Sequence, residues 1–387
     1  MRAATELIHL TAQASRDVDP LTTPIYETTT FVFENAEQVK AFNAGTSSKF
    51  LYSRYGNPTV VAAEQTIAGL EGAERALLFA SGMAATSTAL LTLVESGDEV
   101  VCSAAIYGGT LHLLADLCPR WGISARFVSL DEMRDPSRMI GDRTKLVWFE
   151  SPINPTLRCV DIADVAAACR ARGVMSIIDN TFASPLNQQP IALGVDVVMH
   201  SVTKYLNGHS DVTAGAIAGP AAILEAIDKT RRLLGGVVDP HAAYAIGRGL
   251  KTLTVRMERH NANALAVARW LQQDSRVAGV LYPGLESHPD HELARRQMRG
   301  YGGMVCVDVG GGQARAERFF DRLKVIRRAA SLGGVESLCS LPVLTSQWGC
   351  TDEQLAEAGI TRSMARLSIG LEDPQDLIED LDQALGR

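Results

Sequence analysis

The chain has 387 residues, 46% hydrophobic and 21% charged, the balance of an ordinary globular protein with room for two or three domains. A net charge of −7 opposes nucleic acid as the main partner, because phosphate neutralisation needs clustered Lys and Arg. No apolar run reaches the roughly 18–20 residues of a bilayer span, and seven scattered cysteines without a C-x-x-C pair argue against a disulfide framework or a zinc site.

The amino terminus, Met1-Arg2-Ala3-Ala4-Thr5-Glu6, lacks the apolar core of a secretory signal, so the expected location is the cytoplasm. Residues 1–60 are rich in Thr, aromatics and polar residues without sustained periodicity, and are expected to form an extended arm. Within it, Tyr52-Ser53-Arg54-Tyr55-Gly56-Asn57-Pro58-Thr59 places Tyr52 and Arg54 on one side of an extended segment, followed by turn formers. Arg54 can reach a phosphate from there, or can be the surface arginine of a structural turn.

From about residue 60 the pattern becomes alternating strands and helices. A strand over 76–80 is followed by Ser81-Gly82-Met83 and a helix over 84–94. Free N–H groups and the helix dipole make such a junction an anion site. Strands are expected at 99–102, 126–130 and 145–149, with helices at 110–117 and 161–172; Asp161 and Asp164 favour the start of the second helix. Such alternation predicts a mainly parallel sheet covered on both faces. Two loops in this region carry candidates. Tyr107 opens a Tyr-Gly-Gly-Thr turn, and Asn154 lies in Glu150-Ser151-Pro152-Ile153-Asn154-Pro155; each can serve a ligand or simply shape its turn.

Two apolar runs then end in chemistry. Residues 174–178 lead into Asp179, and 195–199 lead into Ser201-Val202-Thr203-Lys204-Tyr205. Ligands of open α/β sheets collect at carboxyl ends of strands, so Asp179 and Lys204 can face one crevice. A partly desolvated lysine favours the neutral amine that condenses with a carbonyl, and a carboxylate beside a pyridinium is the matching partner; together they suit pyridoxal phosphate. A solvated lysine and a turn-capping Asp are the plainer alternatives. Ser201-x-x-Lys204 also matches the S-x-x-K of serine acyltransferases, but no S-D-N follows and Lys251-Thr252 is continued by Leu253.

A long helical pattern over about 241–273 leads into a carboxyl-terminal part. Strands are expected there near 277–282, 304–309 and 366–369, with helices at 314–323 and 374–384, an α+β arrangement. Arg366 enters an apolar strand and calls for a partner, either a structural acid or a ligand carboxylate.

Read together, the stretches around Tyr52, Ser81, Tyr107, Glu150, Asp179 and Ser201, with Ser331-Leu332-Gly333-Gly334-Val335-Glu336-Ser337-Leu338 and Arg366-Leu367-Ser368-Ile369-Gly370, resemble the Cys/Met-metabolism (trans-sulfuration) enzymes that use pyridoxal phosphate. Nearly the whole chain is covered, in order. The resemblance implies the fold type I of pyridoxal-phosphate enzymes, α/β, with an arm at 1–60, a large domain at 61–245 and a smaller α+β domain at 246–387. It implies a homotetramer of two dimers acting on a small amino acid, with active sites shared between subunits. Lys204 would bond the coenzyme aldehyde, Asp179 would pair with its ring nitrogen, and Tyr107 would stack on the ring and serve as an acid. Gly82, Met83, Ser201 and Thr203 would meet the phosphate, with Tyr52 and Arg54 from the neighbouring subunit. Asn154 would contact coenzyme and substrate, Arg366 and Ser331 would hold the substrate carboxylate, and Glu336 would read its distal group.

The implied activity is γ-elimination, with γ-replacement as the rival and transamination a more distant one. Three positions depart from the pattern of particular relatives. Gly109 stands where bacterial methionine γ-lyases usually have cysteine, Leu51 stands where cystathionine-handling relatives tend to have an acid, and Thr345-Ser346-Gln347-Trp348-Gly349-Cys350 replaces a Met-Thr-His pattern.

Overall fold

The computed structural model describes residues 2–9 and 20–386. Its larger sheet contains β1 Arg75–Phe79, β2 Glu99–Ser103, β3 Ser124–Val128, β4 Thr144–Glu150, β5 Met175–Asp179, β6 Val197–Ser201 and β7 Gly215–Gly219, in the order β1-β7-β6-β5-β4-β2-β3. Every strand runs one way except β7, which is antiparallel to both β1 and β6. The expected mainly parallel sheet is present.

Side-chain alternation explains why these strands read as continuous apolar runs. Ile177 of β5 joins Phe79, Trp148 and Met199 on the face covered by the helix Gly82–Leu93. Its neighbour Ile178 joins Val147, Phe149 and Val198 beneath the helix Ile162–Arg172. Both faces are dry, so both sets of alternating residues are apolar, and each fully buried side chain contributes about 1.5–3 kcal/mol.

Two features of this unit depart from the sequence-based expectation. β7, Gly-Ala-Ile-Ala-Gly, is too poor in branched residues to signal a strand. Its glycine has a packing cause: a Cβ on Gly215 would stand 2.3 Å from the Ser81 carbonyl oxygen, so only glycine passes beneath the Ser81–Gly82 turn. The helical pattern at 241–273 is broken into Pro240–Leu250 and Leu253–Gln273. At the break a Cβ on Gly249 would meet the Asn207 carbonyl oxygen at 2.3 Å. From the second helix, buried Arg256 donates to the Tyr205 carbonyl at 2.7 Å and the Gly249 carbonyl at 2.8 Å. The break therefore buttresses the loop that carries Lys204.

The second sheet orders β8 Gly279–Leu281, β9 Met304–Asp308, β10 Arg327–Arg328, β11 Leu338–Ser340 and β12 Met364–Ser368 as β10-β11-β12-β9-β8, antiparallel except for β10 and β11. Leu271, Phe319 and Leu381 pack on it from the helices Leu253–Gln273, Gln313–Arg322 and Pro374–Leu385, the α+β arrangement expected. Of the expected arm, residues 1 and 10–19 lie outside the described residues; the rest carries the helices Ala3–His9 and Ala36–Asn43 and a Thr30–Tyr52 bridge. Among the described residues no helix is long and apolar enough to cross a membrane, and no His/Cys/Asp/Glu cluster could hold a metal.

Candidate active site

β1, β2, β4, β5 and β6 all end at one edge of the larger sheet, where open α/β sheets gather ligands. Lys204 follows β6, and its Nζ donates to Ser331 Oγ at 2.8 Å. Burial lowers its pKa below the ordinary lysine value, and the Arg366 guanidinium adds to this against the pull of Asp179. More of the amine is therefore in its neutral, nucleophilic form. Ser331 has a φ of 128°, rare outside glycine and costing on the order of 1–3 kcal/mol. Its carbonyl accepts from Arg366 at 3.2 Å, so the amine and the guanidinium of the site both hold this one residue.

Arg366 is a middle residue of β12, flanked by Ser340 on β11 and Cys306 on β9. Its other partner is Asn154 Oδ1, at 3.0 Å. Among the described residues it has no acid in an ion pair; its hydrogen-bond partners are neutral oxygens, and burial lowers its pKa. A guanidinium held partly out of water without a counter-ion is costly, and an incoming carboxylate supplies the missing charge. Of the two partners left open by the sequence, a structural acid is not the one found.

Asp179 ends β5. Its Oδ1 accepts the Thr181 N–H at 3.0 Å and the Thr181 hydroxyl, while Thr181 Oγ1 accepts the Ser201 N–H at 2.8 Å. Thr181 thus ties the ends of β5 and β6 together and fixes the carboxyl between them. Burial raises the Asp179 pKa, opposed by the Thr181 bonds and by the nearby His200 and Lys204; a cation placed against it would be welcome.

An anion is accommodated at the start of the helix Gly82–Leu93. Ser81 caps it by accepting the Ala84 N–H at 3.0 Å, which leaves first-turn N–H groups free of intrahelical partners. A Cβ on Gly82 would stand 3.3 Å from both Ser201 Oγ and Met199 Cε, so the Ser201 hydroxyl lies beside that helix end. Thr203 is differently placed from expectation: its hydroxyl donates to the Ala214 carbonyl at 3.2 Å and accepts the Ala214 N–H at 3.0 Å. That proton is already used to join the loops after β6 and before β7. An amine for an aldehyde, a carboxyl for a ring nitrogen and a helix terminus with a hydroxyl for a phosphate together fit pyridoxal phosphate.

Tyr107 is 50% exposed, as a group facing a ligand must be. A Cβ on Gly109 would lie 2.6 Å from the Tyr107 ring and 2.7 Å from Met83 Sδ. Glycine at 109 and the ring position of Tyr107 are therefore coupled, and a cysteine there would require one of the two to move. The 345–350 segment reaches the same turn, since a Cβ on Gly108 would lie 3.8 Å from the Ser346 carbonyl oxygen. Glu336 accepts a hydrogen bond from Ser210. Beside it, Gly333 packs against Tyr205, where a Cβ would come within 2.7 Å of the backbone nitrogen.

Tyr52 and Arg54 are not brought to this cluster. Arg54 donates to the Arg232 carbonyl at 2.6 Å and stacks on Tyr52 and Tyr55. Leu51 lies on the same face, in a cavity of about 170 Å³ shared with Tyr55 and Arg231. Sequence patterns overlooked Thr181, although a threonine two residues after a strand-ending Asp is a recognisable turn signal. The hydroxyl contact of Ser331 with Lys204 has no such signal.

Residues 4–386 match the family described as Cys/Met metabolism PLP-dependent enzyme. The chain is 40% identical over 381 residues to cystathionine gamma-synthase 1, chloroplastic, of Nicotiana tabacum, covering 98% of this chain and 71% of that one. It is 45% identical over 343 residues to cystathionine gamma-lyase of Mus musculus, covering 88% and 86%. The crystal structure of metB from Corynebacterium glutamicum is similar with a TM-score of 0.92 at 39% identity, over 100% of this chain and 98% of that one. Similarity of this extent, around a site with this chemistry, has one consequence: the chain belongs to the Cys/Met-metabolism family of pyridoxal-phosphate-dependent enzymes.

Proposed function

We propose that the chain is a lyase that eliminates the γ substituent of a methionine- or cystathionine-like L-amino acid and, with one water consumed in hydrolysis, gives a 2-oxo acid, ammonia and the leaving group. The observation that carries this is the convergence of Lys204 and Arg366 on Ser331, the amine on its hydroxyl at 2.8 Å and the guanidinium on its carbonyl at 3.2 Å. An amine for an aldehyde and a cation for a carboxylate flank one residue, as α-amino-acid chemistry requires.

When bound, pyridoxal phosphate supplies the electron sink for the charge left on Cα. Lys204 would hold the coenzyme aldehyde and, once displaced by the substrate amine, remove the Cα proton, its lowered pKa suiting a base; a second proton is then lost from Cβ, and its electron pair expels the γ substituent. Asp179 keeps the ring nitrogen protonated through its charge. Gly82, Met83 and Ser201 meet the phosphate, while Thr203, its hydroxyl bonded to Ala214, holds the loop behind them. Arg366, with Asn154 and Ser331, grips the α-carboxylate, Tyr107 stacks on the ring and protonates the departing group, and Glu336 reads the distal end of the substrate.

The active unit in this proposal is a cytoplasmic homotetramer of two dimers, each chain divided near residues 60 and 245. Tyr52 and Arg54 complete the phosphate site of the neighbouring subunit, which their separation from Lys204 within one chain supports. Arg54→Ala is expected to raise the coenzyme Kd roughly 10- to 100-fold, the size of a lost charged hydrogen bond. Fluorescence titration of the apoprotein measures this, and an unchanged Kd would remove Arg54 from the phosphate site.

γ-Replacement is the second reading, favoured by Glu336, a carboxylate able to bind the cationic end of a second amino acid. Elimination is preferred because Leu51 provides no such acid on the arm. Incubating the purified protein with γ-substituted amino acids separates the two. Release of 2-oxobutanoate without a thiol supports elimination, whereas product formed only when a thiol is added overturns it.

A further inference from the structure

Glu150 is the last residue of β4 and is 5% exposed. Its Oε1 accepts the Tyr107 N–H at 2.7 Å, and the Asn154 N–H lies near enough to the same carboxyl to draw its pKa down. Strand register places it directly opposite Asp179 on β5. One side chain at the middle of the sheet edge thus contacts two loops, the one after β2 that presents Tyr107 and the one after β4 that presents Asn154. Loop backbone at such an edge lies beyond the ladder of strand hydrogen bonds, so a buried side-chain acceptor is what fixes its height above the sheet. Burial and the adjacent Asp179 both push the Glu150 carboxyl well above the ordinary carboxylate range. The Tyr107 and Asn154 N–H groups oppose that push, and what the side chain offers these loops is a fixed accepting geometry.

We infer that Glu150 is a positioning residue, holding the Tyr107 turn and the Asn154 loop in a fixed relation to Asp179. Ring partner, leaving-group acid and carboxylate grip then share one frame. The inference rests on the roles proposed above for Tyr107 and Asn154. Nothing in a single-residue pattern marks it, since a Glu before Ser-Pro reads as an ordinary strand end.

Two conservative variants of the holoenzyme test it, because geometry and charge predict opposite orders. Glu150→Gln keeps the side-chain length and the accepting oxygen, and the nearby Asp179 carboxylate can accept its amide. Glu150→Asp keeps the acid but withdraws the oxygen by one methylene. Misplacing reacting groups by about 1 Å costs roughly 10²-fold. Glu150→Asp is therefore expected to lose about 10- to 100-fold in kcat/KM. It should also weaken binding of unreactive glycine, read from the coenzyme absorbance, by about fivefold or more. Glu150→Gln is expected to stay within about threefold of the parent in both measurements. Equal impairment of the two variants, the reverse order, or no effect in either would overturn the inference. Borohydride reduction followed by peptide mass spectrometry should find Lys204 tagged in the parent and both variants. An untagged parent would instead remove the functional proposal itself.

Discussion

Lys204→Ala is expected to abolish turnover, lowering kcat by about 10³-fold or more, since a general base alone is typically worth 10²–10⁴-fold and the covalent anchor is lost as well. The fold should survive. The deletion frees the Ser331 hydroxyl from one hydrogen bond, a change of about 0.5–1.5 kcal/mol, and relieves a partly desolvated amine. The helix start at Gly82 and the Asp179 carboxyl remain, so coenzyme should still bind without being linked. Steady-state turnover and mass spectrometry after borohydride treatment check both halves. A fully active alanine variant, or an adduct on a different lysine, would contradict the scheme. The parent protein should also show a characteristic pH dependence. Because burial and Arg366 lower the Lys204 pKa below the ordinary lysine value, coenzyme uptake by the apoprotein should accelerate as pH rises through that lowered value. Below it the amine is protonated and unreactive; above it the rate levels off.

Arg366→Lys comes second in expected size. The substitution preserves charge and removes the fork, through which separate guanidinium nitrogens reach Asn154 Oδ1 at 3.0 Å and the Ser331 carbonyl at 3.2 Å. A single ammonium cannot serve both oxygens and a substrate carboxylate in one plane. Losing one partner of a buried charged pair costs 2–5 kcal/mol, so kcat/KM should fall roughly 30- to several-thousand-fold. Grip on the carboxylate acts in ground and transition states alike, which directs much of the loss into KM. Comparing a γ-substituted amino acid with its carboxyl-amide isolates the cause. The parent should strongly prefer the free acid and the variant should lose most of that preference; an undiminished preference would assign the carboxylate elsewhere.

Much of the larger sheet was legible because its signals are local. The runs ending at Asp179 and Ser201 are short, apolar on both alternating sets, and bounded by polar residues, so β5, β6 and the position of Lys204 just beyond could be placed closely. Asp161, expected near the start of a helix, accepts the Asp164 N–H at 3.2 Å as its cap. β7 was not legible, because its composition answers to the Ser81 carbonyl above Gly215 and not to strand propensity. The break at residues 251–252 was not legible either, because apolar periodicity carries through it while contacts with Asn207 and Tyr205 fix where it falls.

Site residues divide along the same line. Lys204, Asp179, Tyr107 and Arg366 could be nominated from residue type and place in an element, and the family resemblance named their company. Thr203 was nominated for a phosphate, yet its hydroxyl proton is taken by Ala214. Glu150 passed as a strand end, although it accepts from Tyr107 across 43 residues.

By itself, then, the sequence determined the strand-helix order, the caps, the strand ends that carry chemistry and the family. Only the tertiary structure decided that Ser331 meets Lys204 across 127 residues and that Arg366 meets Asn154 across 212. Periodicity and capping are set by neighbours a few residues away, whereas these bonds exist because the carboxyl-terminal part, through the Ser331 loop and β12, is folded back onto the loops after β4 and β6. No spacing along the chain encodes that packing; it follows from how buried surfaces fit, and with it comes the uncompensated guanidinium that waits for a carboxylate.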